Sequence, residues 1–152
     1  MTLTELFFSF AGRINRQLFV LGMLGLFSLQ LGLFSLVAYE MNLPVEKAIS
    51  REVLLVDTML DGLLMWPTLA LSYKRMHDRN KSGKLFGLVY ATATVMAVPV
   101  ALGSIEAGQG PVQAYFFLHF MLMFGVLMML IEMAFYPGTA GPNRYGDDPL
   151  NG

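Results

Sequence analysis

The stretch from Leu18 to Ala38 carries no charged residue and matches the ~20 residues that an α-helix needs to cross a hydrocarbon core ~30 Å thick. The rest of the chain has the same character, with 55% hydrophobic and only 14% charged residues, which places it outside the ordinary soluble class. The run therefore reads as a membrane span. Gly22, Gly25, Ser28, Gly32 and Ser35 recur along it at steps of three and four, a small-residue face that lets another helix approach closely.

Three further spans follow at 53–73, 85–102 and 115–136, so the expected spans are 18–38, 53–73, 85–102 and 115–136 of a single domain, 1–152. The second contains Asp57 and Asp61, each costing ~2.5 to 3.5 kcal/mol at a helix centre. Its apolar residues, at about -0.3 to -0.6 kcal/mol each, offset this only in part, so this helix inserts with help from its neighbours. Asn42 and Pro44 look like its start, ahead of an extramembrane stretch from Glu46 to Glu52, and Pro67 is placed to kink it. Pro99 interrupts the third span late, Gly103 to Val112 reads as a loop, and aromatic residues flank the fourth span. At the start, Leu3, Leu6, Phe7 and Phe10 have helical spacing behind a Thr2–Glu5 capping box, which predicts a short interfacial helix. Beyond Tyr136 the glycines and prolines exclude regular structure. The fold class is an all-α membrane protein: a four-helix transmembrane bundle with a short N-terminal interfacial helix and an irregular Gly/Pro-rich tail.

If four segments span, Arg13, Arg16, Lys74, Arg75, Arg79, Lys81, Lys84 and Arg144 share one side, and only Lys47 and Arg51 take the other. The positive-inside rule then puts both termini in the cytoplasm. Glu5 and the late arginines argue against a cleaved signal, so the N-terminus reads as part of the mature protein. The absence of cysteine removes disulfides, thiolate metal sites and thiol nucleophiles. His77 and His119 fall near opposite faces and cannot share a metal, and there is no phosphate loop or nucleophile elbow. No cofactor, metal or nucleic-acid partner is expected, and the methionines read as adaptable packing.

Three cytoplasmic stretches have the look of signatures. They are Phe10-Ala11-Gly12-Arg13-Ile14-Asn15-Arg16, the run Arg75-Met76-His77-Asp78-Arg79-Asn80-Lys81-Ser82-Gly83, and Gly138-Thr139-Ala140-Gly141-Pro142-Asn143-Arg144-Tyr145-Gly146-Asp147-Asp148-Pro149. Together, and in this order, they resemble the bacterial inner-membrane family catalogued as domain of unknown function 805. The resemblance covers nearly the whole chain and implies a small multi-helix inner-membrane protein, without implying a chemistry. The chain departs from the family pattern at Lys84, where a tryptophan is usual, and at Phe19-Val20, where an aromatic pair is usual.

The topology gathers Arg13, Arg16, Arg75, His77 and Asp78 with Asn80, Ser82, Asn143, Arg144 and Tyr145 on one membrane face. Such a cluster serves either as a site for an anionic lipid headgroup or as a hydrogen-bonded lock between loops and tail. His77 and Asp78 are adjacent on a helix and point about 100° apart, which disfavours a dyad. Asp78, Asn80 and Ser82 read as turn and cap residues ahead of the third span. Within the spans, Asp57, Asp61, His119 and Glu132 are ionisable. Asp57 and His119 are expected at similar depth and able to pair, and Glu132 is within reach of Arg13 or Arg75. The expected function is a non-enzymatic inner-membrane component whose polar cluster meets anionic headgroups or a membrane protein partner, including a second copy. The alternatives are a small transporter or channel subunit using Asp57, Asp61 and His119, and an interfacial enzyme using His77 and Asp78.

Overall fold

A computed structural model describes residues 1–42, 51–102, 104 and 110–150. Among them are five helices: α1 (Leu3–Phe8), α2 (Arg16–Glu40), α3 (Arg51–Asp78), α4 (Lys84–Ala101) and α5 (Gly110–Phe135). In α1 the Thr2 hydroxyl accepts from the Glu5 N–H at 3.2 Å and the Glu5 carboxylate accepts from the Thr2 N–H at 2.8 Å. Asn15 caps α2 by accepting from the Leu18 N–H at 2.8 Å. The helix start expected around Pro44 lies outside the described residues, as does most of the Gly103 to Val112 loop. Where that loop was expected to run on to Val112, α5 instead begins at Gly110, with Pro111 tolerated in its first turn.

Helices α2 to α5 are each long and apolar enough to cross a membrane. With 28 residues, α3 is about 42 Å long, some 12 Å more than a ~30 Å core requires. Each long helix packs on its chain neighbour, and α2 meets α5 to close a ring, less tightly than the other sides. Across the middle only α3 and α5 touch, and α1 lies on α3. The starts of α2 and α4 and the ends of α3 and α5 therefore share one end of the bundle, called here the motif end.

Apolar side chains are inverted relative to a soluble bundle: Leu21, Leu24, Phe27, Met59, Leu88 and Phe120 cover the outside, while Lys74 and Arg75 are fully buried. Large exposed apolar areas of this kind mark a membrane or partner surface. The small-residue stripe of α2 serves the bundle only at Gly22, where an added Cβ would lie 2.9 Å from Leu71 Cδ1. Gly25 and Gly32 have nothing within 4 Å. The physical reason is that steps averaging less than 3.6 residues wind around the helix, roughly 140° from Gly22 to Ser35. A closer small-residue contact occurs on α4. A Cβ at Gly83 would be 2.6 Å from Tyr73 Cγ, and one at Gly87 would be 2.7 Å from the Tyr73 hydroxyl, so the ring of Tyr73 lies flat in the space both glycines leave.

Candidate functional site

The motif end is organised around Asp78, the last residue of α3, which is 3% exposed. Its Oδ1 accepts from Arg13 Nε at 3.2 Å and from Arg13 Nη2 at 3.0 Å, and its Oδ2 accepts from Arg75 Nη1. Arg75 stands three residues earlier, one turn back on the same face. Two buried guanidinium groups thus share one buried carboxylate, and carbonyl oxygens supply the remaining negative potential. Arg13 Nη1 donates to Gly141 O at 2.8 Å and Gly146 O at 3.1 Å, and Nη2 to Thr139 O at 2.7 Å. All five N–H donors of Arg13 are thereby engaged. Arg75 donates from Nε to Met133 O at 2.8 Å and from Nη2 to Tyr136 O, tying the ends of α3 and α5 together.

The C-terminal tail forms the floor of this cluster. Helix α3 stops in a Schellman motif: Asn80 has φ 55, its N–H bonds to His77 O at 2.9 Å, and the Lys81 N–H bonds to Met76 O at 2.9 Å. Further bonds to the exposed carbonyls come from the tail. Thr139 gives its N–H and its hydroxyl to Asp78 O at 2.8 and 2.9 Å, Asn143 Nδ2 donates to His77 O at 3.0 Å, and Arg144 Nη2 to Asn80 O at 3.1 Å. Asn143 and Gly146 exchange backbone hydrogen bonds and close a tight turn. Asp148 pins the tail onward by accepting from the N–H groups of Leu150 at 3.0 Å and Gly141 at 2.7 Å. Those two donors, the Leu150 N–H foremost, hold its carboxyl below the usual range, and the charge of Arg13 adds to the effect.

Of the ten residues expected in the polar cluster, the structure brings Arg13, Arg75, Asp78 and Asn143 into one bonded network. His77 faces elsewhere. Its ring stacks on Tyr145 at 3.8 Å, Arg144 lies 4.7 Å from the centre of the same tyrosine ring, and its Nδ1 is 3.3 Å from Gly12 O. With Asp78 held by two arginines, the His77–Asp78 pair does not form a catalytic couple. Asn80 acts through its backbone, and Ser82 through a 3.3 Å bond from the Lys84 N–H. Asp78 closes α3 and pairs with arginines, the structural role expected of it beside that of a turn residue, and is the hub of the end. Arg16 is exposed and makes no hydrogen bond or ion pair among the described residues. It borders a cavity of about 320 Å³ that is also lined by Asn15, Gln17, Arg75, Gly138 and Asp148.

The ionisable residues of the helices do not converge. Asp61 accepts from Gln30 Nε2 at 2.8 Å, a cross-link between α3 and α2. Asp57 is exposed, and His119 Nδ1 is buried with no partner among the described residues. The expected Asp57–His119 pair is not formed, because Asp57 lies on the exposed surface of α3 while the His119 Nδ1 is buried. Glu132 does not reach Arg13 or Arg75, because Asp78 holds both. It pairs instead with Arg79 and, at 3.1 Å, with Lys81.

Lys74 and Thr139 escaped the sequence reading. Lys74 is fully buried and donates from Nζ to Glu5 O at 2.7 Å and to Ser9 O, holding the end of α1 against α3. A six-residue helix leaves most of its carbonyls unpaired, and a lysine can satisfy them. In the sequence Lys74 is indistinguishable from the loop cations that follow it. Nothing about Thr139 beyond its place in the Gly138-Thr139-Ala140-Gly141 run marks it as a double donor.

The fold and site define a class: an apolar four-helix bundle with an Arg13–Asp78–Arg75 cluster buried at one end and interlocked there by three distant segments. The chain belongs to the family described as protein of unknown function (DUF805), whose model matches residues 7–147. It is also similar to the uncharacterized protein YiiR of Escherichia coli strain K12, with 32% identity over 148 residues, 97% of this chain and 90% of the relative. The same values hold for YiiR of Escherichia coli O157:H7. No solved structure matches.

Proposed function

We propose that the chain is an integral protein of the bacterial inner membrane, crossing it four times with both termini in the cytoplasm. It acts as a non-enzymatic component whose cytoplasmic end receives an anionic lipid headgroup. The orientation draws support from the cations at the motif end, including Arg13, Lys74, Arg75, Lys81 and Lys84. Exposed Leu3 and Phe8 beside buried Leu6 suit a helix α1 lying in the interface.

The observation that carries the binding reading is the division of roles among the arginines. Arg13 has no donor left, so the Arg13–Asp78–tail network is a lock. Arg16 has every donor free among the described residues and opens, with Arg75, onto the 320 Å³ cavity. A phosphate there would meet the free guanidinium of Arg16, with the buried charge of Arg75 behind it.

Because the chain has no cysteine, Ser82→Cys and Met41→Cys can each be labelled alone from either side of sealed vesicles. Labelling from opposite sides is expected, and reaction of both from one side would refute the four-crossing topology. For the binding reading, detergent-purified protein exchanged into mixed phosphatidylglycerol and phosphatidylethanolamine is expected to retain the anionic lipid preferentially. Arg16→Gln should weaken that retention about tenfold or more, the loss of one charged hydrogen bond of about 1.5–3 kcal/mol. Equal retention of both lipids by the unsubstituted protein would remove the reading.

A further inference from the structure

We propose that the headgroup beside Arg16 belongs to a phospholipid whose acyl chain lies in the open seam between α2 and α5, so that the protein holds one whole lipid and not merely a charged surface. This rests on the headgroup reading above and extends it into the bundle.

Three openings follow one another along that seam. The polar cavity shares Arg16 and Gln17 with a second opening of about 500 Å³, walled otherwise by Val20, Leu21, Ala134 and Phe135. That one shares Val20, Ala134 and Phe135 with a third of about 310 Å³, which continues past Met23 and Leu24 to Phe27. The lining thus changes from cationic to apolar within one turn of α2. A ligand that uses both parts has an anionic head joined to hydrocarbon.

Length supports the same occupant. From Arg16 to Phe27 the groove runs about 16 Å at 1.5 Å per residue, close to the depth of one leaflet of a ~30 Å core. The seam is also the loosest side of the ring, with Ala134 presenting little side chain opposite Val20. A packing helix would suit it poorly, because close helix contacts in membranes favour small residues, whereas Leu24, Phe27 and Phe135 are bulky. Free phosphate would leave the apolar length unused. The two carboxylates near the cavity do not repel the head strongly: Asp78 is neutralised by two arginines, and the oxygens of Asp148 accept from Gly141 and Leu150.

The test uses the full chain in nanodiscs containing phosphatidylglycerol with a photoreactive diazirine in mid-chain. Adducts are expected on the peptides covering residues 19–27 and 130–135, at least five times above those on the outer face of α4 around Leu88. Leu24→Trp, at a position already 56% exposed, narrows the groove and should lower both adduct yield and phosphatidylglycerol retention about fivefold. Glycerol 3-phosphate should not displace the lipid. Adducts spread evenly over all helices, with preferential retention intact and lost in Arg16→Gln, would overturn the seam and leave the headgroup reading standing. Displacement by glycerol 3-phosphate would likewise overturn it, in favour of a soluble phosphate. Retention without preference for the anionic lipid would bring down both. The adduct map on the unsubstituted chain decides even if Leu24→Trp fails to fold.

Discussion

Replacing Asp78 with alanine is expected to destabilise the bundle by about 3–5 kcal/mol, the cost of removing one partner from a buried charge pair. The reason lies in what remains. Arg13 and Arg75 are 5% and 0% exposed, so without the carboxylate two positive charges face each other out of reach of water. Neither can withdraw, since Arg13 is bonded to three tail carbonyls and Arg75 to Met133 and Tyr136. Asp78→Asn keeps an acceptor but loses the charge and should fall between wild type and Asp78→Ala. Unfolding in mixed detergent micelles measures the series. A cost below about 1 kcal/mol for Asp78→Ala would mean that water reaches the cluster and that it behaves as a surface pair.

Gly138→Ala is the second large effect. A Cβ at this position would lie 2.0 Å from Asp78 Oδ2 and 2.6 Å from Asp78 Cγ. The obstacle cannot swing aside, because both oxygens of that carboxylate are held by buried arginines. Overpacking of this kind costs about 1–3 kcal/mol and occasionally more. Here the easier response is for the tail to lift off α3, breaking the bonds from Thr139, Asn143 and Arg144. Trypsin cleavage after Arg144 should therefore accelerate by about tenfold or more, a population shift of about 1.4 kcal/mol. Gly125→Ala, where a Cβ meets nothing within 4 Å, should leave the rate unchanged. An unchanged rate in Gly138→Ala would show that the tail does not dock against Asp78.

The long helices were legible because a charge-free run such as Leu18 to Ala38 has few alternatives to spanning. The partnerships were not. Asp78 and Glu132 both lie within reach of several arginines in sequence terms, and which arginine each one takes depends on how the helix ends cross. Asn80 looked like a polar cluster member, yet its use is a left-handed backbone that stops α3. Gly25 and Gly22 look equivalent in the sequence, and only the winding of the stripe separates the one that packs from the one that does not. Lys74 was hidden among cations whose number, not position, carries the topological signal.

The lock joins residue 13, residues 75–78 and residues 139–146, three segments that are synthesised in that order and well apart in time. When α2 and α3 have been made, the two arginines and Asp78 have met none of the tail carbonyls that complete their shell. Those arrive only after α5. The polar end is thus assembled in a single late step, and a chain stopped before Thr139 would hold its helices but leave its charged centre open, a visible difference between a finished copy and an unfinished one.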